Sequence, residues 1–93
     1  MSEKQHVVVT VMGKDRVGIV AAVSKALSDN KVNIVDISQT LLQDIFAMIL
    51  LVDIANSTTD LLTLSEIMKK TGSELGLNIM IQHEDIFRYM HRI

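Results

Sequence analysis

The sequence predicts an α+β fold of the ferredoxin-like βαββαβ type: a four-stranded antiparallel sheet with two helices on one face and a short C-terminal helix. Three observations predict it. Stretches of period-two apolar alternation are interleaved with stretches of helical spacing, in the order strand, helix, strand, strand, helix, strand. The two middle strands are separated only by Gln43 and Asp44, a hairpin-length link. A length of 93 residues with 48% hydrophobic side chains suits one small packed domain over 1–93.

The first strand is expected over His6 to Met12, where Val7, Val9 and Val11 share a face and β-branching favours extended backbone. Gly13-Lys14-Asp15-Arg16 then breaks it. From Val17 to Asn30 the spacing is helical, with Ile19, Val20, Val23 and Leu27 on one stripe and Asp15 as the expected N-cap. A second strand, Asn33 to Leu42, sets Val35, Ile37 and Leu41 on a dry face and Asp36, Ser38 and Thr40 on a wet one. The third, Ile45 to Val52, is apolar on both faces and therefore belongs in the middle of the sheet, covered on both sides by helices or by another subunit.

A second helix begins near Thr59 and Asp60, with Ser57 and Thr58 as further caps, turns Leu61, Leu64, Met68 and Leu75 inward, and stops at Gly76. Asn78 to Gln82 reads as the last strand, and Glu84 to His91 as a terminal helix. Phe87 and Tyr89, two of the three aromatic residues, make that helix a candidate packing or subunit contact. The chain is too short to cover the second face of its sheet with its own elements, so a homo-oligomer is expected.

Composition excludes several functions. There is no Cys, hence no disulfide, thiolate nucleophile or Cys-ligated metal. A formal charge of −2 and 3% aromatic content oppose direct nucleic-acid binding, which wants a basic surface and stacking rings on the central strands. No apolar run approaches the ~20 residues of a membrane helix, and the first residues lack a signal-peptide layout, so a cytoplasmic protein with no membrane association is expected.

The most informative stretch is Gly13-Lys14-Asp15-Arg16-Val17-Gly18-Ile19-Val20. It leads from a strand into a helix, where free backbone N–H groups and the positive end of the helix dipole converge into an anion or carboxylate site. The glycine spacing matches a P-loop, but Ile19 and Val20 stand where Lys and Ser/Thr are needed, so triphosphate binding fails. A purely structural reading competes: Gly13 permits a turn, Asp15 caps the helix, and Gly18 lets the helix approach the sheet. His83, Glu84, Asp85 and His91 hold metal-ligating atoms, yet acidic residues at a strand-to-helix junction are more simply a helix start; no metal and no cofactor is expected.

The stretch GKDRVGIV after a strand, with Asn33-Ile34 opening the next, resembles the ACT domain, a βαββαβ regulatory module. The resemblance extends over VNIVDISQT at 32–40 and HEDIFRYMHRI at 83–93, and is strongest to short stand-alone ACT proteins of archaea and bacteria related to the glycine cleavage system's transcriptional regulator. It implies a non-catalytic module that binds an amino acid or similar small molecule at a subunit interface, between this loop and a strand of the neighbour. The implied ligand-binding residues are Gly13, Lys14, Asp15, Arg16, Val17, Gly18, Ile19, Asn33 and Ile34. Family members frequently carry Pro where this chain has Val17, which leaves the loop less restricted. Asp36 is a further candidate for a ligand ammonium group, against its plainer role as a charge guarding an edge strand.

Two other functions share the architecture. A ligand-free oligomerisation or partner-binding module would use the same loop. An acylphosphatase-like enzyme would use an Arg after the first strand and an Asn on the second, as Arg16 and Asn33 superficially offer, but no His, Cys or Ser constellation accompanies them. A lone regulatory domain also implies a regulated protein partner, whose contact the ligand biases.

Overall fold

The alternating valines of the first segment build strand β1 (His6–Lys14), which continues through Gly13 rather than breaking there. The computed structural model describes residues 5–85. After β1 come helix α1 (Ile19–Asp29), strands β2 (Asn33–Leu42) and β3 (Ile45–Asp53), helix α2 (Leu61–Leu75) and strand β4 (Leu77–His83). The four strands form one antiparallel sheet in the order β2-β3-β1-β4, so the doubly apolar β3 and the valine-rich β1 lie in its middle and β2 and β4 at its edges. Of the C-terminal helix expected over 84–91, Glu84 and Asp85 are helical; its other residues, Phe87 and Tyr89 among them, lie outside those described.

The core sits between the sheet and the two helices. Val7, Val9 and Val11 of β1 face Val52, Leu50 and Met48 of β3 and meet Ile19, Val23 and Leu27 of α1 and Leu64 and Met68 of α2. It is aliphatic apart from Phe46, and no polar or charged side chain among the described residues is buried in it. Burying one such side chain contributes about 1.5–3 kcal/mol relative to leaving it in water, so this layer carries the fold. Val20 and Leu61, expected on the inward stripes, are each 37% exposed, although Ile19 beside Val20 is buried.

Local signals end the helices. Asp60 caps α2, its carboxylate accepting the Thr63 N–H at 2.7 Å, and Gly76 closes it with φ of +69°. At the end of α1 the Asn30 side-chain amide donates to the Ala26 carbonyl at 2.7 Å, and Lys31 turns the chain with φ of +60°. The start of α1 departs from expectation. It begins at Ile19, capped by Gly18 in the left-handed region without any side-chain hydrogen bond, and Asp15 lies three positions before that cap.

One irregularity decides which way β2 faces. The pairing with β3 slips between Ile34 and Asp36, leaving Val35 as a bulge, so Ile34, Ile37, Gln39 and Leu41 turn to the helix side. Ile34 thus takes the place expected for Val35. The dry face expected of β2 is incomplete as well: at the sheet edge only Ile34 packs against the core, while Ile37 and Leu41 stay exposed. None of the described helices is long and apolar enough to cross a membrane.

Candidate functional site

The loop between β1 and α1 combines residues held by quite different forces. Gly13 is a strand residue paired with Phe46 on one side and Leu77 on the other. A Cβ built on it would lie 2.7 Å from Leu77 Cδ2 and 3.2 Å from the Gly76 carbonyl oxygen, so glycine here serves close packing. Gly18 is the reverse case. Its φ of +92° demands glycine for conformation, yet nothing lies within 4 Å of where its Cβ would be. Contrary to the packing reading of Gly18, the space before the α1 N-terminus is open.

The residues between them are tied at two points. The Asp15 backbone N–H donates to the Asp44 carbonyl at 2.8 Å, fixing the loop to the β2–β3 turn. Arg16 Nη1 donates to the Leu75 carbonyl at 3.3 Å, meeting the negative end of α2. Lys14 is exposed at the end of β1, and Val17 is 98% exposed at the apex of the loop. Ile19 is buried in the core, so only its backbone faces outward chemistry. With no side chain capping α1 and no acidic residue in its first turn, the N–H groups at its start and the positive dipole end are unsatisfied.

A cleft of about 300 Å³ lies beside this loop, lined by Asp15, Gln39, Thr40, Leu41 and Phe46. It brings one carboxylate and one amide next to an aliphatic and an aromatic side chain. Four of these five residues were not singled out by sequence reasoning, since they come from strands more than twenty positions downstream. Gln39 carried a signal nonetheless: within the alternating positions Asn33, Val35, Ile37, Gln39 and Leu41 it is a polar residue between two apolar ones.

Asn33 and Ile34 are elsewhere. Asn33 pairs with Asp53, which pairs with His6, whereas Gly13 sits on the Phe46 and Leu41 rung at the far end of the sheet. The two rungs are seven residue steps apart along β1, about 23 Å at strand rise. Within one chain, therefore, the loop and the start of β2 do not converge. Asp36 is exposed on β2, with its carboxylate accepting the N–H of Ile37 at 2.8 Å.

The junction after β4 follows a helix-start geometry, the Asp85 N–H donating to His83 Nδ1 at 3.2 Å, and no three His, Asp or Glu side chains among the described residues are grouped to hold a metal ion. The Asp60 carboxyl at the head of α2 is held below its ordinary value by the Thr63 hydrogen bond.

Comparison with known proteins agrees with the fold. A family model of the ACT domain matches residues 5–82. A UPF0237 protein of Methanocaldococcus jannaschii is 58% identical over 95% of this chain and 98% of its own length. Among solved structures, an ACT domain protein from Streptococcus pneumoniae superposes with a TM-score of 0.80 at 36% identity, covering 91% of this chain and 96% of that one. A putative glycine cleavage system transcriptional repressor superposes with a TM-score of 0.72 at 25% identity, over 87% of this chain and 46% of that one.

Proposed function

The chain belongs to the ACT-domain family, and within it to the UPF0237 proteins, and from that premise we propose that it is a non-catalytic sensor of a free amino acid that works as a homodimer joined along β2. ACT domains are regulatory modules that bind small molecules. The finer reading rests on one observation above others: Asn33 and the Gly13–Ile19 loop lie at opposite ends of the sheet in one chain. Two copies remove that separation. An antiparallel pairing of β2 with β2 about a two-fold axis near Ile37 and Ser38 carries Asn33 of one copy to the Leu42 end of the other, beside the loop.

The edge favours such pairing. β2 is ten residues long, carries no Lys, Arg or Pro, and has Asp36 as its single charge and Val35 as its single bulge. At the joined site the free N–H groups at the start of α1 hold the ligand α-carboxylate, Asp15 faces its ammonium group, and Leu41 and Phe46 offer contact to an aliphatic side chain. Asn33 and Ile34 of the second copy close the site. The ligand then regulates a protein partner by favouring one arrangement of the pair, with Val17 exposed at the loop apex as a contact.

Calorimetric titration with glycine, serine, and branched-chain and aromatic amino acids tests the reading. Binding below millimolar, accompanied by a rise in melting temperature, is expected for at least one of them. Gly18→Asn, which tolerates the left-handed backbone and fills the open space, and Asn33→Ala are each expected to weaken it tenfold or more. If no amino acid binds, the module is an assembly or partner-binding domain without a ligand.

A further inference from the structure

At the end of the sheet opposite the loop, on the side that carries the helices, a second cleft of about 450 Å³ opens between β1, β4 and the head of α2. The register builds it. Val7 of β1 pairs with His83 of β4, so their side chains leave the sheet on one face, and Gln5, two residues before Val7, shares that face. Residues 54–60 join β3 to α2 across this end and bring Asp60 and Leu61 over it. Val7 is buried beneath the cleft, Ile54 and Leu61 add apolar surface, and Gln5, Asp60 and His83 supply polar atoms.

We propose that this cleft is a second small-molecule site, for a protonated organic amine with a short apolar body and a hydroxyl or carbonyl oxygen. It stands apart from the amino-acid site, since Val7 and Gly13 are six residue steps apart along β1, about 20 Å. Charge sets the class of ligand. Among the described residues no Lys or Arg lines the cleft, and Asp60 is its one carboxylate. That carboxylate accepts the Thr63 N–H at 2.7 Å, and its remaining lone pairs leave room for a ligand ammonium group. The positive end of α2 opposes a cation with only about half a charge, against the full charge of Asp60. Behind His83, Asp85 adds a second carboxylate 3.8 Å from the ring. A ligand carboxylate thus meets like charge here, whereas the start of α1 has neither a side-chain cap nor an acidic residue in its first turn.

His83 and Gln5 define the other end of the ligand. The Asp85 N–H donates to His83 Nδ1 at 3.2 Å; a nitrogen that accepts holds no proton, so the neutral ring carries its proton on Nε2. That N–H and the Gln5 amide suit an oxygen acceptor. The volume falls toward the lower end of the roughly 300–1,000 Å³ common for small-molecule pockets, which fits a metabolite-sized amine.

Nitrogen-edited NMR of the full chain, titrated near neutral pH with ethanolamine and aminobutanol, reads the outcome, with butanol and butyrate as neutral and anionic controls. Both amines are expected to bind with dissociation constants of about 1 mM or tighter, shifting the amides of Gln5, Leu61 and His83 and leaving those of Asp15 to Ile19 in place. Butanol and butyrate are expected to bind about tenfold more weakly or not at all. Asp60→Asn keeps the helix cap, removes the charge, and is expected to weaken the amines about fivefold or more. Should that variant fail to fold by circular dichroism, His83→Phe, which keeps a ring without the Nε2 donor, is expected to weaken them about threefold or more. Amines that bind no tighter than butanol, or equally well to the substituted chain, overturn the site, as does the absence of any shift at about 10 mM ligand. Shifts confined to Asp15 to Ile19 overturn it too, by placing the amines in the loop. A chain that binds no amino acid yet takes the amines at His83 keeps this site and loses the amino-acid reading.

Discussion

Gly72, in the last turn of α2, packs so closely on Leu77 that a Cβ at position 72 would lie 2.8 Å from the Leu77 carbonyl oxygen and 2.9 Å from Ile79 Cγ1. The helix and the strand that follows it thus touch through backbone. Helix propensity alone says that Gly72→Ala should stabilise by about 1 kcal/mol. The neighbouring atom, however, is a carbonyl in a sheet and cannot rotate away, and overpacking of that kind costs about 1–3 kcal/mol. Gly72→Ala is therefore expected to lower stability by about 1 kcal/mol or more in denaturant unfolding, against the sign that propensity gives.

Gly13 meets the same Leu77 from the other side. Its added methyl would press on Leu77 Cδ2 at 2.7 Å and on the Leu77 Cα at 3.3 Å, and Leu77 is itself buried. Gly13→Ala is expected to cost about 1–3 kcal/mol. A partial rescue by Leu77→Val in the same background, read as non-additivity in a double-mutant cycle, checks that the contact is the cause.

Gly18 is governed by backbone strain alone, since nothing lies near its Cβ position and φ is +92°. Gly18→Ala is expected to lower stability by about 1 kcal/mol, and Gly18→Asn by less, because Asn enters the left-handed region more readily. Thermal unfolding of the three proteins in parallel gives the order Gly, Asn, Ala. An Ala variant as stable as the wild type would show that α1 can start without the left-handed cap.

Asp60 gives stability a pH dependence of known sign. Its folded pKa lies below the ordinary 3.8 because the Thr63 N–H, and then the Thr63 side chain, favour the carboxylate. A lowered folded value means the contribution is fully present above the unfolded pKa and is lost as pH falls from about 3.8 through the folded value. Asp60→Asn keeps an N-cap but removes the titration. Its melting temperature is expected to fall less steeply than that of the wild type between pH 4 and pH 2.

The candidate site was only half legible in the chain. GKDRVGIV marked the loop because glycine, charge and a strand-to-helix change coincide there, and the structure places that loop against a cleft. It did not tell what each glycine is for. Gly13 proved to be a packing residue and Gly18 a conformational one, the opposite of the expected assignment, because close approach depends on Leu77, sixty-four positions away. Asp15 suits an N-cap by type, but its N–H is taken by the turn at Asp44, and the helix starts beyond its reach.

Periodicity by itself determined the number and order of the elements, the inward set Val7, Val9, Val11, Val23, Leu27, Leu64 and Met68, and the middle place of the strand Ile45–Asp53. These follow from local geometry, since side-chain direction repeats every two residues in a strand and every 3.6 in a helix. Only the tertiary structure decided the rest: the bulge at Val35, the exposure of β2, the cleft at Gln39, and the distance between Asn33 and Gly13. Those are matters of register and neighbourhood. A repeat reports which face a residue takes, whereas its partner on that face is chosen by hydrogen bonds and packing between segments far apart in the chain.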